Sequence, residues 1–292
     1  METAIDLKQI QARQLFLKLS MRVFIYAMLI LGALFIFIPF GWTLSTALKT
    51  DQQVLAYPPV WIPSPVVWEN FVKALTIRPF HIYYFNTFLI AFICVTAQVL
   101  SSSLVAYGFA RFRFPGRNLL FFVLLSTMML PSNLLLVPRF ILFKTLGWLD
   151  TFLPLTIPHF FGSAFSIFLM RQYLMGIPLE LDEAAKIDGA GPLRVYSSII
   201  FPLVRPALGA IAVFEFVSVW RDFMGPLIYL SSEKHYTVSL GLAAFKSEFF
   251  TEWNLFMAAA VVAMLPPLIV FFIAQKYFIS GASLTGSGAS KG

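Results

Sequence analysis

The side chains that most often carry catalysis or bind metals are few and scattered in this chain. Its three histidines, His81, His159 and His235, lie far apart in sequence, and its single cysteine, Cys94, lies inside an apolar run. Metal sites place Cys and His ligands at short, characteristic spacings, and no such spacing occurs here. The pattern also offers no nucleophile with a neighbouring base. These residues predict no metal site and no catalytic residue, so an enzyme is disfavoured.

A glycine-rich stretch near the end of the chain has part of the pattern of a phosphate-binding loop. Gly281 and Gly286 have the four-residue spacing of that loop, but Ser287 stands where the loop needs a lysine. No strand is predicted before it. We therefore expect this chain to bind no nucleotide or other cofactor.

The most informative polar segment reads EAAKIDGAGPLRVYSSIIFPLVRP and covers residues 183–206. A short helix is predicted over residues 179–187, because the acidic residues near its start favour the positive end of the helix dipole. Gly189 and Gly191 then break this helix, and Pro192 begins a second one. The segment is therefore predicted to form a knob of two short helices.

The composition indicates the surroundings of these groups. Of the 292 residues, 59% are hydrophobic and 12% are charged, and the mean hydropathy is +0.81. Soluble domains carry roughly 25% charged residues, and a soluble core of this size could not bury so much apolar surface. The chain is therefore predicted to be an integral membrane protein.

Apolar stretches long enough to cross a bilayer recur along the chain. A crossing helix needs roughly 20 apolar residues, and the first stretch is too long for a cleaved signal peptide. The pattern predicts an all-α membrane protein with six transmembrane helices in a domain of residues 23–278, between a cytoplasmic segment, residues 1–22, and a cytoplasmic tail, residues 279–292. The predicted spans cover residues 23–48, 84–110, 118–139, 151–171, 203–229 and 254–276, with the knob in a loop of residues 178–202 between the fourth and fifth.

The positive charges indicate the orientation in the membrane. If the N-terminus is cytoplasmic, most of the 21 Lys and Arg residues lie on the inner side, as the positive-inside rule requires. Both termini and the knob are therefore predicted to be cytoplasmic. The net charge of +7 then follows from topology and suits anionic lipid head groups, so no nucleic-acid partner is expected.

A regular pattern runs through the knob: Glu-Ala-Ala, three residues, Gly, nine residues, Ile, one residue, Phe-Pro. It is formed by Glu183, Ala184, Ala185, Gly189, Ile199, Phe201 and Pro202. The pattern resembles the EAA loop of ATP-binding cassette importer permeases, with every spacing matched. The one departure is Phe201, because Leu is usual at that place in the family.

The resemblance covers nearly the whole chain and is to the carbohydrate-uptake permeases. AYGFARFRFPGR, residues 106–117, is similar to their inner loop after the second span. PFGWTLSTALKT, residues 39–50, and MMLPSNLLLVPRF, residues 128–140, are similar to parts of their first and third spans. The tail KYFISGASLTGSGASKG, residues 276–292, resembles that of the maltose-permease G-type subunit, although residues 287–290 drift from it.

The resemblance implies that the knob is a coupling helix that docks in a cleft of an ATPase subunit. Glu183 would make the polar contact, the two alanines after it would allow close approach, and Gly189 would set the turn. The implied docking residues are Glu183, Ala184, Ala185, Asp188, Gly189, Ala190 and Pro202. The tail residues implied to reach into the ATPase dimer are Leu284, Thr285, Gly286 and Lys291, unless the tail is simply disordered.

The implied function is the import of a sugar, from a monosaccharide to an oligosaccharide, by alternating access. The implied partners are a second permease subunit in a heterodimer, two copies of an ATPase that uses ATP and Mg²⁺, an extracellular sugar-binding protein and the lipid bilayer. The implied location is the bacterial cytoplasmic (inner) membrane, which the chain would cross several times.

Candidate residues for the substrate pathway lie in the predicted spans. Glu215 lies deep in the fifth, where a charge costs about 2.5–3.5 kcal/mol, so it is expected to face a water-filled cavity or a polar partner. Two roles stay open for it: accepting hydrogen bonds from sugar hydroxyls, or forming a polar pair between helices. The other candidates are Tyr107, Gln98 and Trp220. Arg221 departs from the Trp-Asn-Asp-Phe that is frequent in the family, and its role stays open.

Two other transport functions fit the sequence less well. An ion-coupled secondary transporter usually has an internal repeat and more ionisable groups within its spans, whereas Glu215 is the one acid deep in a span here. An importer of the same type for glycerol phosphate or a related polyol would need basic groups in its cavity. Arg139 is the one basic residue close to the predicted third span, and it lies near the outer end, which favours a neutral sugar.

Overall fold

The computed structural model describes residues 2–245 and 252–286, and the regular structure in that part of the chain is helical, with no strand. The all-α prediction is confirmed for these residues. In chain order the α-helices are α1 (Glu2–Ala47), α2 (Asp51–Val54), α3 (Glu69–Thr76), α4 (Phe80–Arg111), α5 (Arg117–Ser126), α6 (Leu136–Thr145), α7 (Leu153–Thr156), α8 (Ala164–Met175), α9 (Glu180–Ile187), α10 (Pro192–Val195), α11 (Phe201–Leu203), α12 (Arg205–Trp220), α13 (Met224–Tyr229), α14 (Val238–Ala243) and α15 (Trp253–Gly286). Short 3-10 helices cover Thr127–Met129, Ser132–Leu135, Ile157–Phe161 and Glu233–His235, and a π-helical turn covers Tyr196–Ile200.

Between four and six helical segments in the described part are long and apolar enough to cross a membrane. Four of them are single segments: Phe16–Ala47, Phe80–Arg111, Leu153–Met175 and Trp253–Gln275. The other two are pairs of helices that meet at a sharp bend, and the total is six if each pair makes one crossing.

The predicted third span, residues 118–139, contains the first of these bends. The helical segments Arg117–Met129 and Asn133–Thr145 meet at 88°. Pro131 explains the break, because its ring favours an extended backbone at the preceding residue and its nitrogen cannot donate a helical hydrogen bond. Leu130 indeed has φ −80° and ψ 116°. The sequence predicted one continuous helix here, and the structure divides it.

The predicted fifth span, residues 203–229, is also divided. α12 follows the segment Pro192–Leu203 after a bend of 77°. Pro206 contributes to this bend, because it lacks the N–H that would continue the helical hydrogen bonds of the preceding turn. α12 then ends at Trp220, and α13 is a separate short helix. The apolar stretch read as one span is therefore two helices joined by a turn.

The helices at the two ends of the chain extend beyond the predicted spans. α1 begins at Glu2, so residues 2–22, predicted as a separate segment, continue into the first span as one helix. α15 runs to Gly286, so the helix includes the first part of the predicted tail, residues 279–292.

The chain forms two compact units. Of the described residues, the first unit comprises 2–74 and 252–261, and the second comprises 75–245 and 262–286. Within the first unit, the buried amide of Asn70 donates to Ala47 O at 2.9 Å and to Lys49 O at 2.8 Å. These bonds satisfy the backbone where α1 ends.

α4 is the central helix of the second unit and packs against α8 and α12. Buried side chains recur at every fourth residue along one of its faces: Cys94, Gln98, Ser102 and Ala106. Side chains four residues apart lie on the same side of a helix, and small ones allow neighbouring helices to approach closely. The face therefore positions α4 between its two neighbours.

Candidate functional site

We call residues 180–203, from α9 to α11, the docking segment. α9 has three acids in its first turn and Lys186 in its last, which suits the helix dipole. It ends at Gly189, whose φ of +80° suits glycine. Gly189 N donates to Lys186 O at 3.0 Å, and Ala190 N donates to Ala185 O at 2.9 Å. These bonds form a Schellman motif, and α10 begins after it, so two short helices lie on either side of a glycine turn.

One face of the docking segment is open. The residues of the predicted docking set that are exposed are Glu183, Ala184, Asp188 and Gly189, while Ala190 and Pro202 are half-buried. Two large apolar side chains join this face, since Ile187 is 86% exposed and Leu193 is 76% exposed. An acidic group flanked by exposed aliphatic side chains is a surface suited to another protein.

Ala185 differs from the other predicted docking residues. It is 5% exposed and belongs to the hydrophobic core of the second unit, with Ala106 and Val195. Its small side chain therefore allows α9 to approach its own core and is not offered to a partner. Of the two alanines after Glu183, only Ala184 lies on the open face.

The C-terminal end of α4 holds the docking segment. Arg111 Nε lies 3.0 Å from Asp182 Oδ2, and both side chains are buried. Arg111 Nη2 also donates to Ile177 O at 3.0 Å. Tyr107, predicted as a pathway residue, is buried one turn earlier and its hydroxyl donates to Pro192 O at 3.3 Å. Tyr107 thus contacts the docking segment.

Two more candidate pathway residues are buried and hydrogen-bonded within the protein. Gln98 is 1% exposed, and its amide donates to Ser102 Oγ at 3.2 Å and Ser163 Oγ at 2.7 Å. Trp220 is 6% exposed, and its indole N–H donates to Ala263 O at 3.0 Å. Both residues join helices of the second unit.

Glu215 forms a polar pair between helices. His159 Nδ1, on the 3-10 helix before α8, lies 2.6 Å from Glu215 Oε1 on α12. The two side chains are 30% and 13% exposed. Of the two roles left open for Glu215, this contact supports the pair between helices. The two atoms are within ion-pair distance, without an aligned hydrogen bond between them.

A cavity of about 430 Å³ lies next to this pair in the second unit. Its charged and polar lining comes from α4, the 3-10 helix Ile157–Phe161, α12 and the segments around α13 and α14. The polar lining residues are Thr87, His159, Ser218, Arg221, Asp222 and Thr237. Apolar side chains, among them Leu155, Phe223 and Met224, complete the wall. A cavity with an apolar wall and a few polar groups is typical of a small-molecule site.

Sequence reasoning gave no role to His159 and left that of Arg221 open. Both line the cavity, while the four candidate pathway residues do not. The signal that identifies the two is an ionisable side chain within, or at the end of, an apolar stretch. The same signal identifies Glu215, but the sequence prediction did not extend it to His159 and Arg221.

The remaining predicted sites lie outside this region. Leu284, Thr285 and Gly286 form the last residues of α15, and Lys291 lies outside the described residues. In the part of the chain that the structure describes, no three His, Cys, Asp or Glu residues are grouped to hold a metal ion.

Known proteins resemble the chain in sequence. Residues 98–283 match the binding-protein-dependent transport system inner membrane component family. The sn-glycerol-3-phosphate transport system permease protein UgpE of Yersinia enterocolitica is 34% identical over 267 residues, which cover 89% of this chain and 95% of that protein. A probable ABC transporter permease of Pyrococcus horikoshii is 33% identical over 247 residues, covering 84% of this chain and 90% of that one.

A solved structure has the same fold. It is a chain from the crystal structure of a bacterial ABC transporter involved in the import of the acidic polysaccharide alginate. The TM-score is 0.78 at 26% identity, with 89% of this chain and 98% of that chain covered. The predicted resemblance, the role as a non-enzymatic transport subunit and the inner-membrane location are confirmed. This chain belongs to the family of inner membrane components of binding-protein-dependent transport systems.

Proposed function

We propose that this chain is one of two permease subunits of an ATP-driven importer and moves a sugar or a sugar-like polyol. The relatives support this substrate class, since one is named for sn-glycerol 3-phosphate and the other serves import of a polysaccharide. The observation that carries the proposal is the docking segment. It offers Glu183, Ala184, Ile187 and Leu193 on one open face while its opposite side is held by α4.

The proposed topology has six crossings with both termini and the docking segment in the cytoplasm. Each bent pair would then be one crossing. The distribution of Lys and Arg supports this orientation. The partners would be a second permease, two copies of an ATPase that uses ATP and Mg²⁺, and an extracellular binding protein. The last residues of α15 and the tail after it would contact the ATPase dimer.

The proposed coupling begins where the ATPase moves the docking segment. Arg111 and Tyr107 would transmit this movement, because they join the docking segment to the inner end of α4. The same helix carries Thr87 and Ile90, which line the cavity. α4 would therefore move the cavity wall as a rigid body when the docking segment moves, which is the form of coupling that alternating access needs.

Co-purification tests the docking assignment. The full chain is expressed with its partner subunits, purified in detergent and compared with Glu183→Lys. Glu69→Lys is the matched control, because Glu69 is an exposed acid on α3, in the loop proposed to lie outside. We expect the wild type and the control to retain an ATPase and a second permease. Glu183→Lys should retain the permease and lose the ATPase.

Other outcomes would decide against parts of the proposal. Equal recovery of the ATPase with all three proteins would show that the open face of the docking segment is not the docking surface. A wild-type chain that purifies without an ATPase and a second permease would favour the alternative function, an ion-coupled secondary transporter. Once the complex is in hand, the sugar-loaded binding protein that raises its ATP turnover identifies the substrate.

A further inference from the structure

The charged groups around the cavity are not equally satisfied. The Glu215 carboxylate lies 2.6 Å from His159 Nδ1. Asp222 Oδ1 accepts a hydrogen bond from Gly225 N at 3.1 Å, where α13 begins. Arg221, which lines the same cavity, has no carboxylate within 4.0 Å among the described residues. Each of these acids therefore lies beside a polar group of the protein, whereas Arg221 has no acidic partner among the described residues.

A guanidinium at this place favours a negatively charged ligand. Arg221 follows the last residue of α12 and lines the cavity with its side chain exposed, so its guanidinium is accessible to a ligand that carries a counter-charge. A guanidinium offers donors in a planar fork, and this fork matches a carboxylate or a phosphate through two parallel hydrogen bonds. A neutral ligand group matches this pair of donors less well than a carboxylate or a phosphate does.

The rest of the lining suits the uncharged part of such a ligand. Ser218 is exposed to the cavity and its hydroxyl forms no hydrogen bond with any described residue. His159 uses Nδ1 toward Glu215, which leaves Nε2 for a ligand hydroxyl. Apolar side chains such as Leu155 and Met224 cover the opposite wall and can contact the carbon face of a sugar or polyol.

We infer that Arg221 is a specificity-determining residue that binds a carboxylate or phosphate group on the transported sugar or polyol. This inference rests on the proposed function and narrows its substrate from any sugar or sugar-like polyol to an anionic one. It also changes the expectation drawn from Arg139, because the structure places a different arginine in the cavity wall. The guanidinium of Arg221 forms an ion pair with this anionic group. Ser218 and His159 bind hydroxyl groups of the same substrate.

The test uses the complete transporter in proteoliposomes, with its ATPase and its binding protein. Four probes form two pairs matched in size: digalacturonate with neutral galactobiose, and sn-glycerol 3-phosphate with glycerol. Uptake and ATP hydrolysis are measured for the wild type, Arg221→Gln and Arg221→Lys. Gln removes the charge and keeps hydrogen-bonding groups, whereas Lys keeps the charge and loses the fork.

We expect the wild type to import at least one anionic probe. Arg221→Gln should raise the half-saturating concentration of that probe about tenfold or more, because hydrogen bonds to charged groups contribute roughly 1.5–3 kcal/mol. Arg221→Lys should keep an intermediate affinity for the anionic probe, and uptake of the neutral probes should change less than uptake of the anion in both variants. The KM for the anionic probe should change by a larger factor than the rate of ATP hydrolysis measured without substrate.

Two results would overturn the inference. One is a wild type that imports neither anionic probe, and the other is an Arg221→Gln variant in which anionic and neutral uptake change equally or not at all. The proposed function fails separately. If the galactobiose-loaded binding protein still drives uptake, the importer stands and only the anionic specificity is lost. If the chain brings down no ATPase, the importer itself is wrong.

Discussion

Arg111 Nε lies 3.0 Å from Asp182 Oδ2, and the two side chains are only 6% and 7% exposed. The contact joins the last residue of α4 to the first turns of α9. The atoms are within ion-pair distance without an aligned hydrogen bond between them, so charge attraction holds the pair. The docking helix is therefore fixed to a membrane-spanning helix by a buried pair of charges.

Removing one partner of this pair should destabilise the protein strongly. Arg111→Leu leaves the Asp182 carboxylate buried without a counter-charge, and breaking a buried pair in this way costs about 3–5 kcal/mol. We expect a lower midpoint of thermal unfolding in detergent and less co-purified ATPase, because α9 loses its position. Arg117→Leu is the control, since Arg117 is half-buried and its described contact is a bond of 3.3 Å to Phe112 O.

The double variant Arg111→Leu, Asp182→Leu separates the charge effect from simple loss of packing. Without either charge no group is left buried and unpaired, so the double variant should be more stable than Arg111→Leu alone. A double variant as unstable as the sum of the two single ones would show that the two charges do not interact.

The turn after α9 should require glycine for its backbone conformation alone. Gly189 has φ +80°, and a Cβ added there meets nothing within 4 Å. Gly189→Ala therefore meets no clash but places an L side chain in the left-handed region, at a cost of about 1–2 kcal/mol. We expect weaker ATPase binding and a lower unfolding midpoint.

Gly191→Ala is the matched control for this turn. Gly191 has φ −69°, and a Cβ added there also meets nothing within 4 Å, so the change should stay within about 0.5 kcal/mol. If both variants lose the same amount of stability, the loss comes from the surface of the turn and not from its backbone.

The close approach of α14 to α4 should exclude any side chain larger than glycine. A Cβ on Gly241 would lie 2.3 Å from Tyr83 Cδ2. Tyr83 cannot move easily, since it is fully buried and its hydroxyl donates to Glu233 Oε1 at 2.7 Å. Gly241→Ala should lower the stability by about 1–3 kcal/mol, as overpacking does. Thermal unfolding in detergent measures this.

Gly108→Ala should have the opposite sign. Gly108 is in the interior of a helix, and a Cβ added there meets nothing within 4 Å. Alanine is favoured over glycine in a helix by about 1 kcal/mol. A Gly241→Ala variant as stable as Gly108→Ala would mean that α14 can shift away from Tyr83 at no cost.

Some of these features could be read from the sequence and others could not. The knob was predictable because Gly189 and Pro192 act on the backbone locally, whatever surrounds them. The bends within the third and fifth predicted spans were not, because hydropathy records which residues are apolar and not where a helix bends. Pro131 and Pro206 are visible in the sequence, but prolines also occur inside unbroken helices of this chain, such as Pro266 in α15.

The residues of the cavity were harder to predict than the docking segment. Gln98 and Tyr107 are polar residues in apolar stretches, and such a residue does not reveal from sequence whether its partner is a substrate or another part of the chain. In the structure their hydrogen bonds are internal. His159 and Arg221 come together at the cavity from segments about 60 residues apart, and only the tertiary fold brings them there.

A cluster in the loops after α6 and α13 should make stability depend on pH in the acid range. Asp150 Oδ2 accepts from the Ser232 hydroxyl, and Asp150 Oδ1 accepts from Ser232 N and Ser231 N, both at 2.9 Å. His235 Nδ1 lies 3.1 Å away. These hydrogen bonds, first of all that from the Ser232 hydroxyl, hold the pKa of Asp150 well below its ordinary value of 3.8.

The sign of the effect follows from this lowered pKa. A carboxylate whose pKa is lower in the folded state contributes stability that is complete above its ordinary pKa. That contribution is lost as the pH falls below 3.8, because the carboxyl group takes up a proton in the unfolded state before it does so in the native state. Asp150→Asn is the matched variant, because asparagine keeps one acceptor oxygen and tolerates the φ of +56° at this position.

The measurement is the thermal unfolding midpoint of wild type and Asp150→Asn in detergent between about pH 5 and pH 3, where Asp150 begins to lose its contribution. The wild type should be more stable at the upper end, and the difference should shrink as the pH falls. Repeating the pair in a His235→Gln background removes the other titratable group that contacts Asp150. A difference that stays constant across this range, or that grows toward low pH, would show that the Asp150 carboxylate does not fasten the two loops.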